Sequence, residues 1–179
     1  DGSWKPEGQL PGQKRPLEET AQVSTMWNLI GLGQVAATEP IQKAREKGIA
    51  FLSTAKPGKS TGYARQSTEW YAAGLLLAGR AGDAPRARDL VDKLRSQQRP
   101  DGGWGFYPPT EGTPTFEETA YALLALFAWR AAGHRVPSNA LERGAAYLRT
   151  FANPLPPTYP PLWIAKSLYV PVQVVQAAV

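Results

Sequence analysis

Between Pro85 and Gly133 the chain pairs a polar helix bearing one apolar stripe with a helix that is apolar almost all round, across a Gly/Pro/aromatic loop. From Ala87 to Gln98, Leu90, Val91 and Leu94 stand at i, i+1 and i+4 among charged and amide positions, the pattern of a helix buried along one narrow face. Thr115 then reads as the N-cap of a second helix, with Glu118 three residues on completing a capping box. Glu117 and Glu118 both suit the positive N-terminal end. The run from Ala120 to Gly133 is apolar on nearly every side and must be covered on most faces. The predicted unit is an outer polar helix packed on an inner apolar one.

The rest of the chain carries degraded copies of this hairpin. Asp1-Gly2-Ser3-Trp4 matches Asp101-Gly102-Gly103-Trp104, and Leu17-Glu18-Glu19-Thr20-Ala21 matches Phe116-Glu117-Glu118-Thr119-Ala120. Lys47-Gly48 and Arg143-Gly144 recur at nearly the same interval. A double unit of about a hundred residues, hence a single repeat of about fifty, falls in the range of helical-pair arrays and toroids. Inner helices are expected over Glu18 to Ala37, Gln66 to Ala81 and Phe116 to Ala132. Outer helices are expected over Ile41 to Ala55, opened by Pro40, over Ala87 to Gln98, and over Ala140 to Phe151, opened by an Asn139/Glu142 capping box. A last helix from Pro161 to about Ala178 would kink at Pro171. The predicted fold is all-α: about seven helices in antiparallel hairpins, forming one domain over residues 1–179.

Gln98, Gly102 and Trp104 are spaced Q-x-x-x-G-x-W, and Lys47-Gly48-Ile49-Ala50-Phe51-Leu52 and Arg143-Gly144-Ala145-Ala146-Tyr147-Leu148 supply the basic-small-x-x-aromatic-aliphatic half of the same pattern. The chain thereby resembles the squalene and oxidosqualene cyclases, whose QW repeat joins an outer helix to a G-x-W loop. The resemblance implies an α/α toroid in which Gln98, Gly102 and Trp104, with Gly2 and Trp4 in the earlier copy, tie neighbouring hairpins together and do no chemistry. Closing such a toroid takes more hairpins than this chain supplies. Asp1-Gly2-Ser3-Trp4 looks like the tail of a motif whose outer helix is missing. The chain is therefore expected to be a fragment or subunit, partnered by another protein chain or by the remainder of its own.

Thr115-Phe116-Glu117-Glu118-Thr119-Ala120 looks like the D-x-D-D-T-A acid motif of class II terpene cyclases, in which the middle carboxylic acid protonates an alkene or epoxide. Glu117 would be that acid. The first Asp is replaced by Thr115, and by Pro16 in the earlier copy, and the alternative is that these glutamates serve helix N-termini. Trp4, Trp70, Trp104, Phe106, Tyr107, Tyr121, Trp129 and Trp163 could pack the core or line a pocket for an isoprenoid or lipid. Of these, Trp70, Phe106, Tyr107, Tyr121 and Trp129 are the binding candidates.

Composition narrows the remaining classes. No apolar run approaches the length of a membrane span. With no Cys and one His, His134, thiolate and zinc sites are not expected, and no cofactor is implied. The net charge of +5 is spread over several outer helices without a basic-aromatic stripe, so no nucleic-acid partner is expected. Ser53 to Ser60 has the look of a phosphate loop, but Ser53 replaces its first Gly and a helix precedes it. The compartment is left open, since proteins with and without Cys occur on both sides of a membrane. The function expected is that of a non-catalytic scaffold or binding subunit, the alternative being a terpene cyclase domain with Glu117 as general acid.

Overall fold

The computed structural model describes residues 1–4, 17–55, 66–106 and 112–150, and the backbone of 162–165 and 168–171. Six helices are described: α1 (Leu17–Leu32), α2 (Glu39–Thr54), α3 (Thr68–Arg80), α4 (Ala84–Gln97), α5 (Phe116–Ala131) and α6 (Ser138–Arg149). They fall in two compact units, Asp1–Gln66 and Ser67–Val179.

In the first unit α1 packs on α2. Pro40 sits in the first turn of α2, where its missing N–H costs nothing. α1 buries seven residues and α2 only Gly48, so α1 is the inner helix. In the second unit α3 packs on both α4 and α5, and α5 on α6. α3 and α5 each bury eight residues against five in α4 and four in α6, which places the apolar helices inside and the polar ones outside. Two contacts show that α3 and α5 run parallel. Near their N-termini, Glu69 lies close enough to Tyr121 to act on its hydroxyl. Near their C-termini, a Cβ on Gly79 would stand 3.4 Å from the Trp129 ring. α4 and α6 reverse direction after left-handed turns at Gly82 (φ 69°) and Gly133 (φ 88°), conformations that glycine adopts without strain. The core of this unit includes Leu75, Leu90, Leu94, Trp104, Leu123, Leu126 and Leu141. Antiparallel hairpins of this kind are the units from which α/α toroids are built.

Two expectations are corrected. Residues Leu162–Ala165 (β1) and Leu168–Pro171 (β2) pair as an antiparallel ribbon, with Trp163 opposite Val170, where a seventh helix was expected. A short apolar run does not fix its own period; here Trp, Ile, Tyr and Val favour the pleated conformation, and Pro171 is tolerated at the strand's end. α6 begins with Ser138 after an N-cap at Pro137 that makes no side-chain cap bond, so Asn139 lies inside the helix and the Asn139/Glu142 box is not formed. Among the described residues no helix is long and apolar enough to cross a membrane.

Candidate functional site

The loop after α4 is held from three sides. The Trp104 side chain is fully buried; its indole Nε1 donates to the Leu94 carbonyl at 2.7 Å and its backbone N donates to Thr119 Oγ1 at 2.9 Å. Its carbonyl accepts from the N–H of Thr115 at 2.9 Å. Gln98 Nε2 donates to the carbonyls of Gly102 (2.9 Å) and Ala140 (2.8 Å), and Arg143 donates to those of Arg99 and Pro100. Gly102 has φ 93°, and a Cβ there would collide with the Arg143 carbonyl oxygen, so only glycine fits. Trp104 and Gln98 thus bind the ends of α4, α5 and α6 to one another.

The first unit repeats the arrangement in part. Trp4 N donates to Thr25 Oγ1 at 3.0 Å, and Gly2, at φ 86°, lies against the Lys47 carbonyl as Gly102 lies against that of Arg143. A Cβ on Gly48 would meet Trp4 at 2.6 Å and Leu29 at 3.1 Å; on Gly144 it would meet Trp104 at 2.7 Å and Leu123 at 2.9 Å. Thr25 and Thr119 each also bond back one turn, at 2.7 Å to the carbonyls of Ala21 and Thr115. Thr25 is therefore the counterpart of Thr119, and the match of Thr20 with Thr119 read from the sequence is corrected. Val23 and Ser24, not Glu18 and Glu19, occupy the places of Glu117 and Glu118.

At the N-terminal end of α5, Thr115 Oγ1 caps the N–H of Glu118 at 3.2 Å. The reciprocal bond of a capping box is absent, because the Thr115 N–H is given to Trp104. The Glu118 side chain is instead wholly buried, whereas Glu117 is half-buried and accepts from the Tyr121 hydroxyl at 3.3 Å. Burial holds the Tyr121 pKa well above its ordinary value, and the carboxylates of Glu69, Glu117 and Glu118 raise it further. Glu69 is the member of this group that sequence reading passed over, and Glu118 was read only as a capping residue. Each is in the first turn of an inner helix, a position that explains a Glu without a site.

The aromatic candidates divide. Trp70 is half-buried and edge-on to Tyr71 at 5.4 Å. Phe106 lies at the same end of α3, its carbonyl accepting from the Thr68 N–H at 3.1 Å, while Thr68 Oγ1 donates to Gly105 O at 2.7 Å. Trp129 stands about 12 Å along α5 from Tyr121 by helix rise, buried against the stacked His134 ring at 3.5 Å, and so does not join them. Tyr107 lies outside the described residues, and of Trp163 only the backbone is described.

No family model matches the chain. It is 31% identical over 160 residues, 88% of its own length, to a type B diterpene cyclase of Mycobacterium tuberculosis, of which it covers 31%. It is 33% identical over 132 residues to a squalene–hopene cyclase of Bradyrhizobium diazoefficiens, covering 65% of this chain and 19% of that one. To an ent-copalyl diphosphate synthase of a Streptomyces species it is 39% identical over 101 residues, 54% of this chain and 18% of the relative. The chain spans less than a third of the length of these curated relatives. They are terpene and squalene–hopene cyclases, and this chain is a cyclase-like segment homologous to them.

Proposed function

We propose that the chain is a non-catalytic scaffold and binding part of a terpene-cyclase-type protein, presenting an isoprenoid to the N-terminal rim of α3 and α5. Trp70, Phe106 and Tyr121 would contact the hydrocarbon, and Gln98, Gly102 and Trp104 would act as the structural staple. The observation that carries this reading is the state of Glu117: it is half-buried and engaged by the Tyr121 hydroxyl as an acceptor. A general acid needs a dry surround and a proton directed at the substrate. A second reading has one observation in its favour: Glu118, beside it, is fully enclosed, so a catalytic carboxyl in this segment would be Glu118.

The test is to incubate the chain, Glu117→Gln and Glu118→Gln with squalene and with a C20 prenyl diphosphate, following tryptophan fluorescence for binding and mass spectrometry for cyclised product. Binding by all three without product is the expected result. A cyclised product that disappears in Glu118→Gln would move the function to catalysis.

A further inference from the structure

In the second unit, the last turns of α4 and the first turns of α6 leave an open recess of about 370 Å³ between them. Arg95 and Ser96 line it from α4, and Asn139 and Arg143 from α6. The hydrogen bond from Gln98 to the Ala140 carbonyl joins the two sides. Asp92 also lines the recess and pairs with Arg95 at 3.3 Å, but its side chain is 72% exposed, and an ion pair so open to water holds weakly. Arg143 is fixed more firmly. Its Nη2 donates to the carbonyls of Arg99 and Pro100, and among the described residues its Nε and Nη1 meet no acceptor. Asn139 lies inside α6 and not at its cap, and among the described residues its side-chain amide makes no hydrogen bond.

We propose that this recess binds a phosphoryl group, held between the guanidinium groups of Arg95 and Arg143. The two arginines reach it from different helices. A carboxylate is planar and offers its two oxygens to one guanidinium fork, whereas a tetrahedral phosphate offers oxygens in several directions and can engage both forks and the Asn139 amide together. Two guanidinium groups also match a dianion once Asp92 turns out to water, a change that costs little for so exposed a pair. The first turn of α6 has no side-chain cap, and its positive end adds to the attraction without being required for it. The recess is distinct from the rim of α3 and α5, where Glu69, Glu117 and Glu118 surround Tyr121 and repel a phosphate. The site therefore stands whether or not an isoprenoid binds there.

The test titrates the chain with inorganic diphosphate and, separately, with phosphatidylcholine vesicles carrying phosphatidylglycerol. The readout is the arginine Nε–H signals by NMR, assigned with R95Q and R143Q. The Arg95 and Arg143 signals should shift together. R95Q, a replacement at an exposed position, should melt like the wild type and bind at least about tenfold more weakly, the scale of one hydrogen bond to a charged group. R88Q, an exposed position of α4 outside the recess, should bind like the wild type. Shifts with diphosphate assign the site to a soluble phosphate compound, and shifts with vesicles alone assign it to a lipid headgroup. No shift with either probe would overturn the proposal, as would equal weakening by R88Q and R95Q, which would reduce the attraction to diffuse surface charge. Squalene binding on the same samples separates the two readings: squalene bound with no diphosphate response sinks this site alone, and diphosphate bound without squalene sinks the isoprenoid rim alone.

Discussion

Tyr121 is neutral because ionising it would place a phenolate in a buried position beside three carboxylates, Glu69, Glu117 and Glu118. Its pKa is raised in the fold, so the unfolded chain gives up this proton first as pH rises. The associated stability is fully present below about pH 10, the ordinary tyrosine value, and is lost as pH climbs from there towards the folded pKa. Thermal melting followed from about pH 9 to about pH 11 should show the wild-type midpoint falling faster than that of Tyr121→Phe, which has no proton to lose. Parallel curves would mean that the hydroxyl is solvated and the three carboxylates do not act on it. The same hydroxyl engages Glu117, the residue singled out by its motif, whereas the one enclosed by the fold is its neighbour Glu118.

At the scale of the helix, the T-A and E-E-T patterns misled because local sequence does not fix which turn of an inner helix meets its loop. Thr25 and Thr119 share the job of receiving a tryptophan N–H, yet α1 begins eight residues before Thr25 and α5 only three before Thr119. Replacing either threonine by valine keeps the shape and strands the tryptophan N–H, a loss of about 1–3 kcal/mol. Urea unfolding of Thr25→Val and Thr119→Val should show both losses; a neutral Thr25→Val would restore the register read from the sequence. The G-x-W loop was legible because its defining residues, Gln98, Gly102 and Trp104, lie within seven positions of one another, although the partners that hold it, Leu94, Thr119, Ala140 and Arg143, lie outside that span. Layering was legible for a related reason: Ala120 to Trp129 is apolar on every side and α4 is not. The gathering of Glu69 with Glu118 was not, since it depends on α3 and α5 running parallel, which no spacing within either helix encodes. Nor was the β1–β2 ribbon, whose short apolar run suits either period.

Across the whole molecule the apolar core is unevenly shared. Among the described residues only Val23, Met26 and Leu29 are buried hydrophobics of the first unit, while the second holds the other twenty. Burial of apolar surface is the main force opposing chain entropy, so the helices of the first unit have much less holding them. Local opening should follow that difference. Native-state hydrogen exchange is therefore expected to give α1 and α2 amides an opening free energy lower than those of α3 and α5 by at least about 1.4 kcal/mol, a tenfold difference in protection. Urea should release the first unit ahead of the second. Staple geometry alone would not produce this order, because Trp4 and Trp104 both anchor an inner helix through a threonine; what differs is the covering of α2 and the number of side chains beneath it. Equal protection in α1 and α5, with one coincident transition by fluorescence and circular dichroism, would show that the two units open together and that the sparse core of the first is stabilised by something other than its own packing.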